Sequence, residues 1–295
     1  LLDNLFEQPA GIDVGDTGLI LFQAMPRLFR HTSLAVAMFL SVFASSPSFA
    51  DPPHRHRSPC STHYPSDQTI EWECRTLQRG ESLEKLFGEQ WTDVARFNRI
   101  DRRHAVSGIA IKVPKRLDAL AQFTPLPLFY EPAEEAEQFI LIDLSEQFLG
   151  AYEFGALRFA LPIASGNGGN ETPTGEFRIT AAHRPHQSCR YTVEGTDRSY
   201  PMNHALRFHI NREGVSYWIH GRDLPGYPAS HGCIGLYDEP MQKEQYGLPK
   251  DPELDDAKRL FEWVLGGEAE DDKVIPLSDG PRLQIVGEAP SWSRN

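Results

Sequence analysis

Residues 218–237 read WIHGRDLPGYPASHGCIGLY, and this stretch organises the rest of the chain. It holds His220 followed by Gly221, a turn-rich spacer, and then Ser230, His231, Gly232 and Cys233 in succession. Cysteine attacks as a thiolate, yet a free thiol with a pKa of about 8.5 is mostly protonated at neutral pH, so an imidazole has to take the proton. Two are available, His220 and His231. Gly221 and Gly232 lack a Cβ and let main-chain amides come close to a substrate carbonyl, which makes an oxyanion site plausible. A lone buried cysteine beside scattered histidines is usually structural. The clustering of all these groups within twenty residues favours a nucleophile and its base.

On these residues the stretch resembles the signature of the YkuD-type L,D-transpeptidases, a His-Gly pair followed after a spacer by Ser-His-Gly-Cys. Here the pair lies thirteen positions before the cysteine, tighter than the family pattern, and glycine stands at 235 where the family usually carries arginine. The resemblance implies a mainly β catalytic domain, a YkuD-like β-sandwich with small helices, and an acyl transfer that needs no cofactor and no metal. The implied substrate is the peptidoglycan stem peptide, attacked at the bond joining the third residue's L-centre carbonyl to D-alanine. Cys233 would form a thioester acyl-enzyme. His220 would act as base and later acid, oriented by the Gly221 carbonyl, and His231 would support it, although the two histidines can exchange roles. Main-chain amides at Gly232 and Cys233 would hold the oxyanion, with Ser230 as a further supporting group. Arg222 or Arg207 would take the place of the missing arginine in binding a substrate carboxylate.

The acyl acceptor stays open at this stage. An amine gives wall cross-links or attachment of an acceptor protein, whereas water gives an L,D-carboxypeptidase or an amidase. A non-catalytic peptidoglycan-binding protein is a further alternative. A papain-like protease is disfavoured, because there the cysteine lies near the mature N-terminus and precedes its histidine.

Around the motif, residues 138–288 read as the catalytic domain. Phe139 to Leu144, Phe148 to Phe154 and Arg158 to Ile163 are apolar strands. A Gly/Asn loop and ETPTGEF (171–177) follow, the latter similar to a Thr-Pro-Thr-Gly-x-Phe segment of the same family. The GNGGN run has no lysine in phosphate-loop register, which argues against nucleotide binding. His183, His186 and Cys189 are spaced three apart, but Pro185 among them breaks a helix and predicts a loop. Residues 191–201 read as a mobile flap. Ala205 to Ile210 and Tyr217 to His220 read as strands, with Arg207 and His209 on one face. Asp238 caps a short helix, and a clearer one after Pro252 carries Leu254, Ala257, Leu260, Phe261 and Val264 on one face and ends at Gly266. Val274 to Leu277 and Leu283 to Val286 close the domain, leaving 289–295 as a tail.

Upstream, residues 1–24 read as an extension ahead of Met25. A basic start, an apolar run over Leu34 to Phe43 and Ser48-Phe49-Ala50 then form a secretory signal peptide at 25–50. The apolar run is too short to span a bilayer, so no stable membrane span remains after cleavage. Export across an inner membrane to the periplasm or cell wall follows, and in that oxidising setting Cys60 and Cys74 pair as a disulfide within a linker at 51–75. His54 and His56 read as part of a solvated tail. Cys189 is left as a buried free thiol or a redox partner. Residues 76–115 follow a strand-helix-helix-strand order and, through Gly80, Ser82, Leu83, Asn98, Gly108 and Lys112-Val113-Pro114, resemble a LysM module, a small α+β fold that binds glycan strands. A small adaptor that only positions the larger domain is the alternative. Proline-rich 116–137 reads as a semi-rigid linker. A net charge of −12 and the lack of a dense basic run argue against nucleic acid as a partner.

Overall fold

The computed structural model describes residues 57–267 and 272–290. The proposed extension, signal peptide and tail histidines, and residues 291–295, lie outside them.

The described chain begins with a small α+β unit. Strand β1 (Trp72–Thr76) pairs antiparallel with β2 (Ala110–Pro114), and α1 (Leu83–Phe87) and α2 (Trp91–Asn98) lie between them in sequence. Ser82 caps α1 by accepting the Lys85 N–H. Trp91, Val94, Ala95 and Phe97 give α2 one apolar face, buried with Leu77, Leu83 and Ile111. The first strand starts inside the segment read as a linker, because a Cys60–Cys74 disulfide and the Trp72 indole N–H, bonded to the Asp67 carbonyl, hold 60–74 against the unit. Arg99 ends α2 in the left-handed region (φ 51°). Its fully buried guanidinium lies 4.0 Å from the centre of the Tyr64 ring and donates to the Glu146 carbonyl.

Residues 116–137 also pack more tightly than a linker. They form short 3-10 turns over Leu117–Gln122 and Glu131–Ala133, and Leu126 and Ala133 are buried against Phe139, Leu141, Phe148 and Tyr152. This cover explains why β3 (Phe139–Asp143) reads as an unbroken apolar run. Ile140 and Ile142 face the main core while Phe139 and Leu141 face the covering segment.

The larger domain is two five-stranded sheets. One runs β5-β4-β3-β12-β6, from β4 (Phe148–Glu153), β5 (Ala156–Pro162), β6 (Gly175–Arg178) and β12 (Arg282–Val286), with β3 and β12 parallel. The other runs β10-β9-β8-β7-β11, from β7 (Ala181–Thr192), β8 (Ser199–Ile210), β9 (Ser216–Arg222), β10 (Ile234–Tyr237) and β11 (Ile275–Pro276). Inward residues of both sheets, among them Leu149, Leu161, Leu206, Ile219, Ile234 and Ile285, form one core with Ala257, Leu260, Phe261 and Val264 of helix α4 (Asp256–Leu265). Helix α3 (Glu239–Tyr246) follows β10 and is capped by Asp238, which accepts the Met241 N–H at 2.9 Å.

The segment from His183 to Cys189 is strand, not loop. Pro185 is tolerated because β11 pairs only with Ala181 and Ala182, leaving Pro185 on an outer edge where its missing N–H breaks no ladder bond. The flap at 191–201 is accordingly narrower: strands β7 and β8 run to Thr192 and from Ser199, and only the connection between them turns.

Candidate active site

Strands β9 and β10 are parallel neighbours, with His220 opposite Gly235 and Ile219 opposite Ile234. Alternation sends Ile219, Ile234 and Leu236 into the core, so His220 and Cys233 share the opposite face of the sheet. On that face Cys233, half-buried, packs with Trp218, Met202 and Ala205.

His220 is 4% exposed, and its Nδ1 lies 2.7 Å from the Gly221 carbonyl. A carbonyl only accepts, so Nδ1 carries the proton and Nε2 keeps its lone pair, the tautomer a general base needs. Burial pushes the His220 pKa down to about 3, and the Arg222 cation and His186 add to the fall, against the opposing Gly221 carbonyl. Burial also pushes the Cys233 thiol up, while the Trp218 main chain and Arg222 favour its thiolate. The resting pair is therefore a neutral imidazole and a thiol.

The Ser230–Cys233 turn is braced from within and from the side. Gly232 N–H donates to Ser230 Oγ at 3.0 Å, and Ser230 Oγ donates to the Cys233 carbonyl at 2.5 Å. Thr172 Oγ1 donates to the Gly232 carbonyl and accepts the Gly166 N–H, both at 3.0 Å. The ETPTGEF segment thus meets the cysteine turn through its first threonine. Gly232 sits at φ 109°, and a Cβ there would stand 2.7 Å from the Tyr217 ring. Gly221 serves a different need from amide access: a Cβ on it would lie 2.1 Å from Asp238 Oδ2. Burial raises the Asp238 pKa to about 7.

Arg222 and Gly235 are spatially matched. A Cβ on Gly235 would lie 2.6 to 3.1 Å from Cδ, Cβ and Cγ of Arg222, so the absence of a side chain at 235 makes room for the arginine to lie across β10. Arg222 Nη2 donates to the Ala229 carbonyl at 2.6 Å, and its buried Nε has no hydrogen-bond partner among the described residues. Arg207 instead sits over the Trp218 ring and donates through Nε to Thr180 Oγ1. His231 is exposed and stacked on Tyr191 of β7, with ring centres 4.3 Å apart, and its pKa is lowered by burial, Arg222 and Arg190.

His183, His186 and Cys189, marked in the sequence by their spacing, all lie on β7, whereas Asp101, His104 and Asp223 carry no motif. His186 packs on Trp218 at 4.3 Å and meets His183 through Nδ1 atoms 3.0 Å apart, and burial lowers its pKa to about 4. Cys189 is exposed. Asp101, His104 and Asp223 bring donor atoms within 4.8 Å of one another, a spacing open to a metal, but their atoms already engage N–H and O–H groups of Leu224, Gln242, Tyr200 and Tyr246.

A two-sheet β domain with a thiol, a neutral imidazole and a guanidinium gathered at one sheet edge defines a candidate cysteine acyl-transfer enzyme. Residues 137–275 match the family model of the YkuD L,D-transpeptidase catalytic domain. That stretch is similar to the catalytic domain of L,D-transpeptidases, and the match supports an enzyme of that class. Similar solved structures include the L,D-transpeptidase of Stackebrandtia nassauensis, at 18% identity and TM-score 0.38, covering 70% of each chain. Another is residues 123–326 of the Xylanimonas cellulosilytica L,D-transpeptidase, at 20% identity and TM-score 0.42, covering 72% of this chain and 98% of that one. No curated protein matches the chain by sequence.

Proposed function

We propose that the protein is an exported cysteine acyltransferase that opens peptidoglycan stem peptides through a Cys233 thioester. The observation that carries this reading is the β9/β10 register, which sets His220 and Cys233 on one sheet face beside Arg222. His220 Nε2 takes the thiol proton as sulfur attacks the carbonyl of the third residue. The same imidazolium then protonates the leaving D-alanine amine, and the acyl group passes to an amine or to water. Arg222, lying across Gly235, supplies the cation for the substrate carboxylate in the place that family members fill from position 235. Arg207, engaged with Thr180 and Trp218, is the lesser candidate. His231 and Ser230 support the turn. The Cys233 amide holds the oxyanion, and Gly232 joins it once its N–H leaves Ser230 Oγ.

Outside the catalytic domain, the βααβ unit resembles a LysM module and would hold the enzyme on glycan strands. The signal peptide read at 25–50 would deliver it to the periplasm or wall. Among the described residues no helix is long and apolar enough to cross a membrane.

The test is incubation of the purified protein, with Cys233 verified as reduced, with tetrapeptide muropeptides. D-Alanine release and a mass increment on Cys233 are expected, both lost in Cys233→Ala and nearly lost in His220→Ala. His231→Ala should cost less. An active Cys233→Ala protein would refute the assignment.

A further inference from the structure

The segment that joins the two halves of the site, from Asp223 to Ala229, is held by its own domain at its ends and by the N-terminal unit at its middle. Asp101, three residues after α2, pairs with both main-chain atoms of Leu224. The Asp101 N–H donates to the Leu224 carbonyl at 2.8 Å, and the Leu224 N–H donates to Asp101 Oδ2 at 2.6 Å. Ile100 forms an antiparallel bridge with Pro225. Tyr64 Oη donates to the Gly226 carbonyl at 3.0 Å, and Gly226, at φ 91°, lies so close to Pro59 that a Cβ would stand 2.7 Å from its ring. The Leu224 side chain is fully buried in the core of the N-terminal unit, beside Ile100 and Tyr237. Three consecutive residues are thus fixed from outside the catalytic domain.

We propose that Asp101 is a positioning residue of the active site, acting through Leu224 to hold the short connection between the His220–Arg222 strand end and the Ser230–Cys233 turn. Asp101 itself is fully buried, and three further donors fix its carboxylate. Oδ1 accepts from His104 N–H at 2.9 Å and lies 2.7 Å from His104 Nδ1, and Oδ2 accepts from Gln242 Nε2 at 2.7 Å. Gln242 Nε2 also donates to Asp223 Oδ1 at 2.9 Å, so the same amide ties the residue next to Arg222 into the brace. A connection of seven residues between a strand end and a catalytic turn transmits any loss of anchoring to both ends, and small displacements of reacting groups lower turnover more than binding. The role differs from glycan binding, and it rests on the Cys233 reading only for its consequence in catalysis.

Two readouts on the full-length protein separate those parts. Amide hydrogen exchange over 223–230, measured in the wild type, Asp101→Ala and Tyr64→Phe, reports the brace whether or not Cys233 is the nucleophile. Exchange should speed up at least tenfold in Asp101→Ala and less in Tyr64→Phe, with β3 unchanged. Kinetics on muropeptide should show kcat down at least tenfold in Asp101→Ala with KM within about twofold. Arg96→Met removes the paired 2.7 Å bonds from α2 to Asp256 of α4 and serves as a control for general weakening between the unit and the domain. It should lower stability while leaving kcat within about twofold. Unchanged exchange at 223–230 in both Asp101→Ala and Tyr64→Phe would overturn the proposal, as would an equal loss of kcat in Arg96→Met at matched stability. If no protein turns over substrate yet the exchange pattern holds, the brace stands and the Cys233 reading fails.

Discussion

His220 gives a stability effect that can be measured without substrate. In the unfolded chain its imidazole titrates near 6.5, whereas burial holds the folded value at about 3. The unfolded state therefore takes up the proton first as pH falls. The contribution of His220 to stability is complete above 6.5, declines as pH falls below that value, and levels off only near 3. At pH 5 the gap to 6.5 is 1.5 pH units, and at about 1.4 kcal/mol per unit the loss relative to pH 7.5 is about 2 kcal/mol. His220→Gln removes the titration while keeping an amide that can donate to the Gly221 carbonyl, and any pH-independent cost cancels in the comparison. Urea unfolding of both proteins at pH 7.5 and pH 5 should show the variant losing about 2 kcal/mol less than the wild type across that interval. Equal losses in the two proteins would show that His220 is not a buried neutral imidazole, and the tautomer argument for Nε2 as base would fall with it.

Two further outcomes follow from the same site. Alkylation of Cys233 by iodoacetamide should climb steadily with pH to beyond the ordinary thiol range, because burial raises the thiol and His220 stays neutral; a plateau between pH 5 and 7 would instead reveal a preformed thiolate–imidazolium pair. Gly221→Ala should cost about 1–3 kcal/mol by driving a Cβ into Asp238, and adding Asp238→Gly should recover part of that cost, so strictly additive unfolding energies would contradict the close approach.

The sequence carried those parts of the fold that are set locally. The apolar runs of β3 and β4, the face of α4 with Gly266 at its end, and Asp238 as a cap all follow from short-range pattern and chemistry. The HG…SHGC motif likewise marked the residues that the β9/β10 register puts on one face. What stayed hidden depends on distant partners. Pro185 signals a loop until the strand edge it occupies is known. The 116–137 segment looks like a linker until Leu126 and Ala133 are seen to cover β3 and β4. Arg222 and Gly235 are thirteen residues apart and become complementary only because parallel pairing lays one across the other. Asp101 and Leu224 carry no motif, and the two hydrogen bonds between them, one of them to the Asp101 carboxylate, span 123 residues.

The covering segment and the buried Leu224 bear on where this protein can be cut. A fragment beginning at Glu137 would follow the family match, yet it would bare the outer apolar face of β3 and β4 and strip Leu224 and Tyr237 of their neighbours. The boundary drawn by sequence similarity thus runs through two shared cores. Evolution could exchange the N-terminal unit only together with Leu224, Gly226 and Tyr237, so these distant positions are bound to change as a set.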